Sequence, residues 1–463
     1  MGRPALAADA TLSAAVDREV PRGPRGGLLL GNVRDFQRDK LGFVQGMARR
    51  YGDVVRYRMA NMTWYQVNHP EGVKRILQDN NRNYGKGSLT SGALGLVLGQ
   101  GLSTSEGGLW LRQRRLMQPV FHRKSVDAFG EMMVKDTEAM ITRWQASPDT
   151  TVDVAAEMSR LTQGVVTGAL FGAGVGEEAG VIEGTITTLM TEVAYRFEVP
   201  LYPPLSVPTP RNRRTRAALR TLDRAVYRII EERRRAKPGD DLLSLLMETR
   251  DEDTGEAMND KQLRDEVITL FVAGHETTAT ALSWTFYLLA THPEAEERVR
   301  AELDEVLGPE GRTPTVEDLP KLSYGRMVVE EAMRLYPPAW ITNRQALSED
   351  VVLGYRIPAG AFVMTLPYVL HRHPDFWERP DEFDPERFSP ERSAIRPRYA
   401  YFPFGGGPRQ CIGRGMALVE THLILSTVFR RCRMRLATQR PVEPLALATL
   451  RPSGGLPMRI EAA

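Results

Sequence analysis

The residues with the clearest capacity for chemistry surround one cysteine near the end of the chain. Residues 404–413 read FGGGPRQCIG, and Cys411 is one of only 2 cysteines among 463 residues. So few cysteines exclude a disulfide framework and a cysteine-rich zinc site. The glycines and proline before Cys411, and the apolar stretch after it, predict a tight loop that leads into a helix. Backbone N–H groups and the helix dipole at such an N-terminus favour a thiolate, which is a strong metal ligand.

The spacing around this cysteine extends to a longer pattern, F-x-x-G-x-R-x-C-x-G. Its fixed positions are Phe404, Gly407, Arg409, Cys411 and Gly413. The pattern resembles the haem-binding loop of the cytochrome P450 superfamily. The resemblance implies that Cys411 is the axial thiolate ligand of the iron in haem b, with Phe404 and Gly413 in the loop that holds the cofactor.

A second segment, Ala273-Gly-His-Glu-Thr-Thr278, resembles the oxygen-activating motif of the same family. Small side chains at Ala273 and Gly274 would leave room for dioxygen, and a carboxylate and a hydroxyl would serve the two protons that O–O cleavage consumes. The resemblance therefore implies catalytic roles for Glu276 and Thr277. From the residues alone, a buried helix whose Glu and Thr side chains satisfy each other stays an alternative.

A third group predicts a support for the cysteine loop. Glu331 and Arg334 are three residues apart, so they share one face of a helix. They resemble the E-x-x-R pair of the family, and Pro385-Glu-Arg-Phe388 resembles the segment that supplies its third member, Arg387. The resemblance implies a buried network that holds the fold and the haem without taking part in catalysis.

Four further residues are predicted to hold the haem propionates, because two carboxylates at the edge of a buried ring require Arg or Trp N–H donors. By their positions in the family pattern they are Trp110, Arg114, Arg344 and Arg409. For each arginine the alternative is an ordinary surface charge.

The predicted wall of the substrate pocket is apolar and favours a lipophilic substrate. It comprises Phe271, Trp340, Ile341 and Leu450. The strand region near residues 64 and 65 shows no arginine of the kind that a fatty-acid carboxylate could use, so the sequence favours a terpenoid. Fatty acids, steroids and macrolides remain alternatives.

The elements that must position these groups are mostly helical. Alternating residues in 51–68, and again in 351–366, predict short strands. Residues 80–104 are rich in Gly, Asn and Ser without a helical period, and we predict a long loop there. Helical patterns dominate from Trp110 to about residue 336. The order predicts a mainly α protein with small β-sheets (α+β). The resemblance implies the P450 fold, with haem between a long central helix and the helix after the cysteine loop.

The remaining expectations concern the whole chain. Residues 1–20 should form a flexible arm and 21–463 a single catalytic domain. The net charge of +3 gives no general affinity for nucleic acid. No segment is predicted to anchor the protein in a membrane, since the apolar stretch 267–290 carries Glu276 at its centre. We therefore expect a cytoplasmic, bacterial-type monomer.

Together these features predict a monooxygenase that inserts one oxygen atom from O2 into its substrate. Because no G-x-G-x-x-G fingerprint follows a strand, electrons should come from separate partners. The resemblance implies that these are a ferredoxin or flavodoxin with its NAD(P)H reductase. A peroxide-using haem enzyme and a non-enzymatic haem sensor are the rival hypotheses. The acid–threonine pair argues against the first, and the lack of a signalling module argues against the second.

One motif stays outside this function. Arg216, Arg220, Arg224 and Arg228 recur every four residues and form a basic stripe on one helix face. A solvated surface is the preferred interpretation, and a membrane surface or an acidic partner is the alternative.

Overall fold

Helices account for most of the structure, which is a computed structural model. It describes residues 20–147, 150–172, 176–199, 202–237, 239–308, 311–438 and 440–462. Residues 1–19, nearly all of the predicted arm, lie outside the described residues. The division into an arm and one catalytic domain stays a prediction.

The α-helices and β-strands follow one another in the order that the sequence predicts, helices in the middle and strands near both ends. The helices are α1 Val33–Arg38, α2 Lys40–Tyr51, α3 Pro70–Lys74, α4 Gly87–Leu98, α5 Gly107–Met117, α6 Arg123–Asp127, α7 Gly130–Ala146, α8 Val154–Phe171, α9 Gly176–Glu198, α10 Pro210–Arg235, α11 Leu242–Glu248, α12 Asp260–Thr291, α13 Pro293–Leu307, α14 Ser323–Leu335, α15 Pro367–Leu370, α16 Pro390–Ala394 and α17 Arg414–Arg431. The strands are β1 Val54–Met59, β2 Met62–Val67, β3 Tyr84–Gly85, β4 Thr151–Asp153, β5 Thr342–Ala346, β6 Asp350–Val352, β7 Tyr355–Ile357, β8 Phe362–Thr365, β9 Cys432–Leu436, β10 Pro444–Ala446, β11 Leu450–Pro452 and β12 Pro457–Ala462.

Helix α12 is the central element, and its 32 residues span about 48 Å at 1.5 Å per residue. Its start is fixed by a capping box, in which Asn259 Oδ1 accepts from the N–H of Gln262 at 2.9 Å and the Gln262 side chain accepts from the N–H of Asn259 at 3.1 Å. It packs against α8, α14 and α17. Most of its residues are buried, which explains the apolar sequence of 267–290. None of the helices in the described part of the chain has the length and apolar character required to cross a membrane.

The strands form small sheets near the two ends of the chain. The largest has the order β1-β2-β8-β5-β3, in which β2 and β8 are parallel and the other neighbours antiparallel. Strand β12 lies between β4 and β9, while β6–β7 and β10–β11 are antiparallel pairs. The strands predicted in 51–68 and 351–366 are therefore confirmed. Strand β5, which carries Arg344, lies between β8 and β3.

The predicted loop in 80–104 is wrong, because α4, with 12 residues, occupies its central part. The local sequence GSLTSGALGLVL lacks a polar face and includes glycines that disfavour helices. Contacts of α4 with α9, α12 and β5 supply the stabilisation that its local sequence lacks. Val97 and Leu98 are buried by this packing.

Candidate active site

The cysteine loop is held by its own backbone and by close contact with the segment after α3. The N–H of Cys411 donates to the carbonyl of Phe404 at 3.0 Å, which closes the loop. Gly407 has a φ of +64°, and a Cβ there would lie 1.8 Å from the carbonyl oxygen of Leu77. The N–H of Gly407 donates to the hydroxyl of Tyr399 at 3.1 Å. Only glycine fits this position, so the central glycine of the motif has a structural cause.

The thiol of Cys411 faces inward at the start of α17. Its accessible surface opens into a cavity, while protein surrounds it on its other sides. This burial raises the pKa of the Cys411 thiol, and the N–H of Gly413 together with the positive charges of Arg114 and Arg414 acts in the opposite direction. Burial is the larger effect, so these groups offset part of its cost to a thiolate.

A cavity of about 370 Å³ joins the cysteine loop to α12. Its lining from α12 consists of Leu270, Ala273, Gly274, Thr277, Thr278 and Ala281. These positions share one helix face because they recur at intervals of three or four residues. The sulfur and the two threonines thus border one space.

Both threonines of the α12 segment bond back to the backbone of the helix. Thr277 Oγ1 donates to the carbonyl of Ala273 at 2.9 Å, and Thr278 Oγ1 donates to that of Gly274 at 3.2 Å. A Cβ on Gly274 would lie 2.6 Å from Cγ2 of Val166 on α8. The glycine is therefore required for helix packing as well as lining the cavity.

The carboxylate of Glu276 does not lie with Thr277. It is absent from the cavity lining and is bound instead to the β10–β11 pair, where it accepts from Thr449 Oγ1 and from Arg451 Nε, the latter at 2.8 Å. The expectation that both catalytic candidates face the oxygen site therefore does not match this geometry. Arg451 lies 175 residues from Glu276 in sequence, so no local signal could have predicted the pair.

Glu331, Arg334 and Arg387 form the buried network that their motif predicts. Arg334 donates from Nε and Nη2 to the two carboxylate oxygens of Glu331 at 2.6 and 2.7 Å. Arg387 Nε donates to Glu331 Oε1 at 3.3 Å. The network is tied to the segment before the cysteine loop, because the hydroxyl of Tyr401 donates to the carbonyl of Glu330 at 2.9 Å. It is thus placed to support that loop.

The four predicted propionate ligands lie around the cavity in two groups. Arg344 and Arg409 line it. The guanidinium of Arg409 lies 4.3 Å from the ring centroid of Trp110. Arg114 donates from Nη1 to the carbonyl of Gln410 at 2.9 Å, next to the cysteine. Arg114 therefore contacts the cysteine loop, and Arg344 and Arg409 supply positive charge to the cavity.

The four predicted wall residues do not line this cavity. Phe271 is buried one position beyond the lining face of α12, with its ring 5.8 Å from that of His275. Trp340 and Leu450 are buried in the core beside the five-stranded sheet, and Ile341 packs against it. The prediction selected these residues for their apolar side chains and did not establish which face of their element points to the cavity. The cavity is lined instead by their sequence neighbours Leu270, Ala339 and Thr342.

Two ionisable residues near the cavity were not identified from the sequence. Glu420 of α17 lines it, and burial raises the pKa of its carboxyl well above the ordinary range. Within the described structure, Glu420 Oε1 has no hydrogen-bond partner. The ammonium of Lys86 lies behind the wall and donates to the carbonyl of Ser103, which lines the cavity. Neither residue belongs to a motif that a single sequence reveals.

The chemistry of this donor set fits haem. A thiol opens into the cavity, small residues of α12 line it, and Arg344 and Arg409 bring positive charge suited to carboxylates. Cys411 would hold the iron and the arginines would hold the propionates.

Comparisons with known proteins agree with this geometry. The family model described as Cytochrome P450 matches residues 21–456. The chain is 39% identical over 414 residues to cyclooctatin synthase of Streptomyces melanosporofaciens, with 89% of each chain covered. It is 38% identical over 410 residues to cyclooctat-9-en-7-ol 5-monooxygenase of the same organism, with 88% of each chain covered. The crystal structure of the haem domain of cytochrome P450DA matches with a TM-score of 0.87 at 25% identity, over 96% of this chain and 98% of that chain.

These matches confirm the predicted fold class and the haem cofactor. They also support a lipophilic substrate, dioxygen and external redox partners. The chain belongs to the cytochrome P450 family and is a P450 monooxygenase.

Proposed function

We propose that this P450 hydroxylates a terpenoid. The observation that carries the proposal is the single cavity bordered by Cys411 and Thr277, whose other walls are mainly apolar. Apolar walls bind hydrocarbon skeletons by removing their surface from water. The relatives at 38–39% identity are terpenoid-modifying enzymes, which favours this substrate class over fatty acids, steroids and macrolides.

The cofactor in this proposal is haem b. Cys411 holds the iron, and the N–H of Gly413 and the charge of Arg114 stabilise its thiolate. Phe404 accepts the backbone hydrogen bond that closes the loop. Arg344, Arg409 and Trp110 bind or order the propionate edge, and the buried network of Glu331, Arg334 and Arg387 keeps the loop in place. The roles of these residues are structural and distinct from catalytic ones.

Bound haem supplies the oxygen chemistry: O2, two electrons and two protons convert a substrate C–H bond to C–OH and release one water. Ala273 and Gly274 leave space on the α12 side of the cavity. The hydroxyl of Thr277 borders that space, and its oxygen can accept a hydrogen bond there while its own hydrogen is donated to the Ala273 carbonyl, so that it can relay a proton.

Glu276 has a conditional role in this scheme. Its carboxylate is bound by Arg451 and Thr449, so it must exchange these partners for water before it can supply protons near Thr277. The β10–β11 pair would then regulate proton delivery. Glu276 and Thr277 remain the proposed catalytic residues.

The external partners complete the proposal. A ferredoxin or flavodoxin with its NAD(P)H reductase supplies the electrons, and the enzyme acts as a cytoplasmic monomer. A reconstituted assay with each carrier, and sedimentation of the holoenzyme, test these points.

A spectral binding screen tests the substrate class. Cyclic terpenes, steroids and fatty acids are added to the ferric holoenzyme, and the Soret band reports displacement of water from the iron. Terpenes should give the largest and most saturable shift. A shift with fatty acids alone, or with no lipophilic compound, would contradict the terpenoid proposal.

Replacement of Thr277 with Ala tests the oxygen role. The variant should consume NAD(P)H at a similar rate and form less product, because the hydroxyl beside the cavity is lost. Thr291→Ala on the same helix is the matched control, since its hydroxyl also bonds back to a carbonyl but lies at the exposed end of α12. Equal coupling in T277A and wild type would exclude this role for Thr277.

A further inference from the structure

Two adjacent leucines stand almost fully in solvent in a short hairpin before α1. Leu28 is 95% exposed and Leu29 is 87% exposed, the two largest fractions among the exposed large apolar side chains of the described residues. Single exposed leucines are common on soluble proteins and need no explanation. An adjacent pair at one turn is a contiguous apolar patch, which is typical of a surface that binds a partner.

The backbone of this hairpin, residues 27–31, is bound firmly to β1. The N–H of Gly27 donates to the carbonyl of Gly31 at 2.9 Å, and the N–H of Gly31 donates back at 3.0 Å. Arg58 of β1 donates from Nη2 to the carbonyls of Gly27 and Leu28, the latter at 2.6 Å. Gly31 has a φ of +58°, and a Cβ there would lie 2.1 Å from the carbonyl oxygen of Arg58. The hairpin therefore holds its two leucines outward and cannot fold them onto the protein without losing these bonds.

The chain around the hairpin is strongly basic. Residues 20–67 contain nine Lys and Arg against three Asp and no Glu, a net charge of +6, whereas the whole chain carries +3. Exposed Arg22 and Arg25 precede the leucines, and exposed Arg56 and Arg58 flank them, since the N–H of Arg56 donates to the carbonyl of Arg22 at 3.1 Å. No ion pair within the part of the chain that the structure describes neutralises these four arginines. An apolar turn is thus surrounded by free positive charge.

The size and charge of this surface favour a lipid bilayer over a protein. A specific protein interface buries about 800 Å² of each partner around an apolar centre, whereas the apolar surface here consists of two side chains among glycines and arginines. Self-association through the same surface would bring the arginines of two copies together. A bilayer needs no matching pocket, because apolar side chains enter the boundary between headgroups and acyl chains while cations bind anionic headgroups.

We propose that the hairpin of residues 27–31 docks the enzyme on an anionic lipid bilayer. Leu28 and Leu29 enter the boundary below the headgroups, and Arg22 and Arg25 bind lipid phosphates. The contact is peripheral and reversible, and it brings the enzyme to the phase in which lipophilic compounds concentrate. The proposal goes beyond the proposed function and does not depend on a terpenoid substrate, because binding is measured without one.

The test measures flotation of the ferric holoenzyme with vesicles made of equal parts of phosphatidylcholine and phosphatidylglycerol. The double variant Leu28→Ser/Leu29→Ser should lower the partition coefficient roughly a hundredfold, because two leucines no longer leave water. Its melting temperature should stay at the wild-type value, since both side chains are exposed. Ile395→Ser is the matched control, because Ile395 is 86% exposed in another part of the chain, and binding should stay within about threefold of wild type.

A second pair of variants tests the charges. Arg22→Gln/Arg25→Gln should weaken binding roughly tenfold at low salt, and the loss should shrink as salt is added. Arg220→Gln/Arg224→Gln on α10 removes the same number of exposed charges elsewhere and should leave flotation unchanged. Vesicles of phosphatidylcholine alone should bind the wild type more weakly than the mixed vesicles.

Three outcomes would overturn the proposal. The first is failure of the wild type to float with the mixed vesicles. The second is wild-type binding by L28S/L29S, or equal weakening in L28S/L29S and I395S, because the leucines would then have no specific part. The third is a lower sedimentation coefficient of lipid-free L28S/L29S than of wild type, which would assign the leucines to self-association. None of these readouts depends on turnover, so a failed terpene assay leaves this test intact.

Discussion

Two groups of buried arginines in this protein differ in how well the protein itself satisfies them. In the network of Glu331, Arg334 and Arg387 every guanidinium finds protein acceptors: besides its bonds to Glu331, Arg334 donates to the carbonyls of His371, Pro380 and Glu382 at 2.6–2.9 Å. In the edge cluster of the cavity, formed by Arg344, Arg409 and Glu106, Arg409 pairs with Glu106, whereas Arg344 has a single carbonyl and no ion pair among the described residues. Removing one partner from a buried charge network that is already satisfied destabilises the fold, whereas a buried charge with few protein partners indicates a ligand.

The largest expected effect follows from breaking the satisfied network. Arg334→Met should lower the free energy of unfolding by about 3–5 kcal/mol, because it leaves the carboxylate of Glu331 buried with too few donors. Chemical denaturation of the holoenzyme measures this value. Arg326→Met, on the same helix, removes a half-exposed pair with Glu330 and should cost about 0–1 kcal/mol. Equal losses in the two variants would contradict the comparison.

A smaller and different effect is expected at the edge cluster. Arg344→Met should weaken haem binding roughly tenfold or more, as for a lost hydrogen bond to a charged group. The melting temperature should therefore fall, yet excess haem should restore most of it by mass action. The same excess should leave R334M unrestored. If haem restores neither variant, Arg344 is part of the fold and not of the cofactor site.

Features encoded within a few residues could be predicted from the sequence, and features that depend on the fold could not. Motifs within a few residues, such as the pair Glu331–Arg334 and the loop at Cys411, predict positions that the structure reproduces. Residue pairs that the fold brings together leave no signal in the local sequence, as with Arg451 beside Glu276 and Lys86 beside Arg344. The pocket wall failed for a related reason: a shift of one residue on α12 moves Phe271 off the lining face, and apolarity alone does not set the helix phase. Helix α4 was not predicted, because contacts with its packing partners stabilise it and its local sequence does not.

A third prediction concerns pH and the flank of the edge cluster. Glu266 of α12 accepts from the N–H of Leu102 at 2.9 Å, and burial, aided by Asp265, raises the pKa of its carboxyl from 4.5 to about 8 despite the opposing effects of that N–H and of Lys86. Between pH 4.5 and 8 the folded protein therefore keeps a proton on Glu266 that the unfolded chain has already released. Stability should fall across this interval as the pH rises.

Glu266→Gln isolates this contribution, because the amide keeps an acceptor and does not titrate. The difference in unfolding free energy between wild type and E266Q should become less favourable to wild type from pH 5 to pH 8. Thermal or chemical unfolding of the holoenzymes over that range measures it. A constant difference would show that Glu266 is ionised throughout and belongs with the satisfied charges.

The smallest effect is expected where arginines face water. On α10, Arg220, Arg224 and Arg228 are exposed, Arg216 is half-buried, and Arg228 pairs with Glu178. Solvent satisfies these charges, so neither rule for buried charge applies. The double variant Arg220→Gln/Arg224→Gln should change stability by no more than about 0.5 kcal/mol and leave the rate of haem transfer to apomyoglobin unchanged. Weaker sedimentation of the variant with anionic vesicles at low salt would instead favour the membrane-surface interpretation, because screened contacts with anionic headgroups require those two charges.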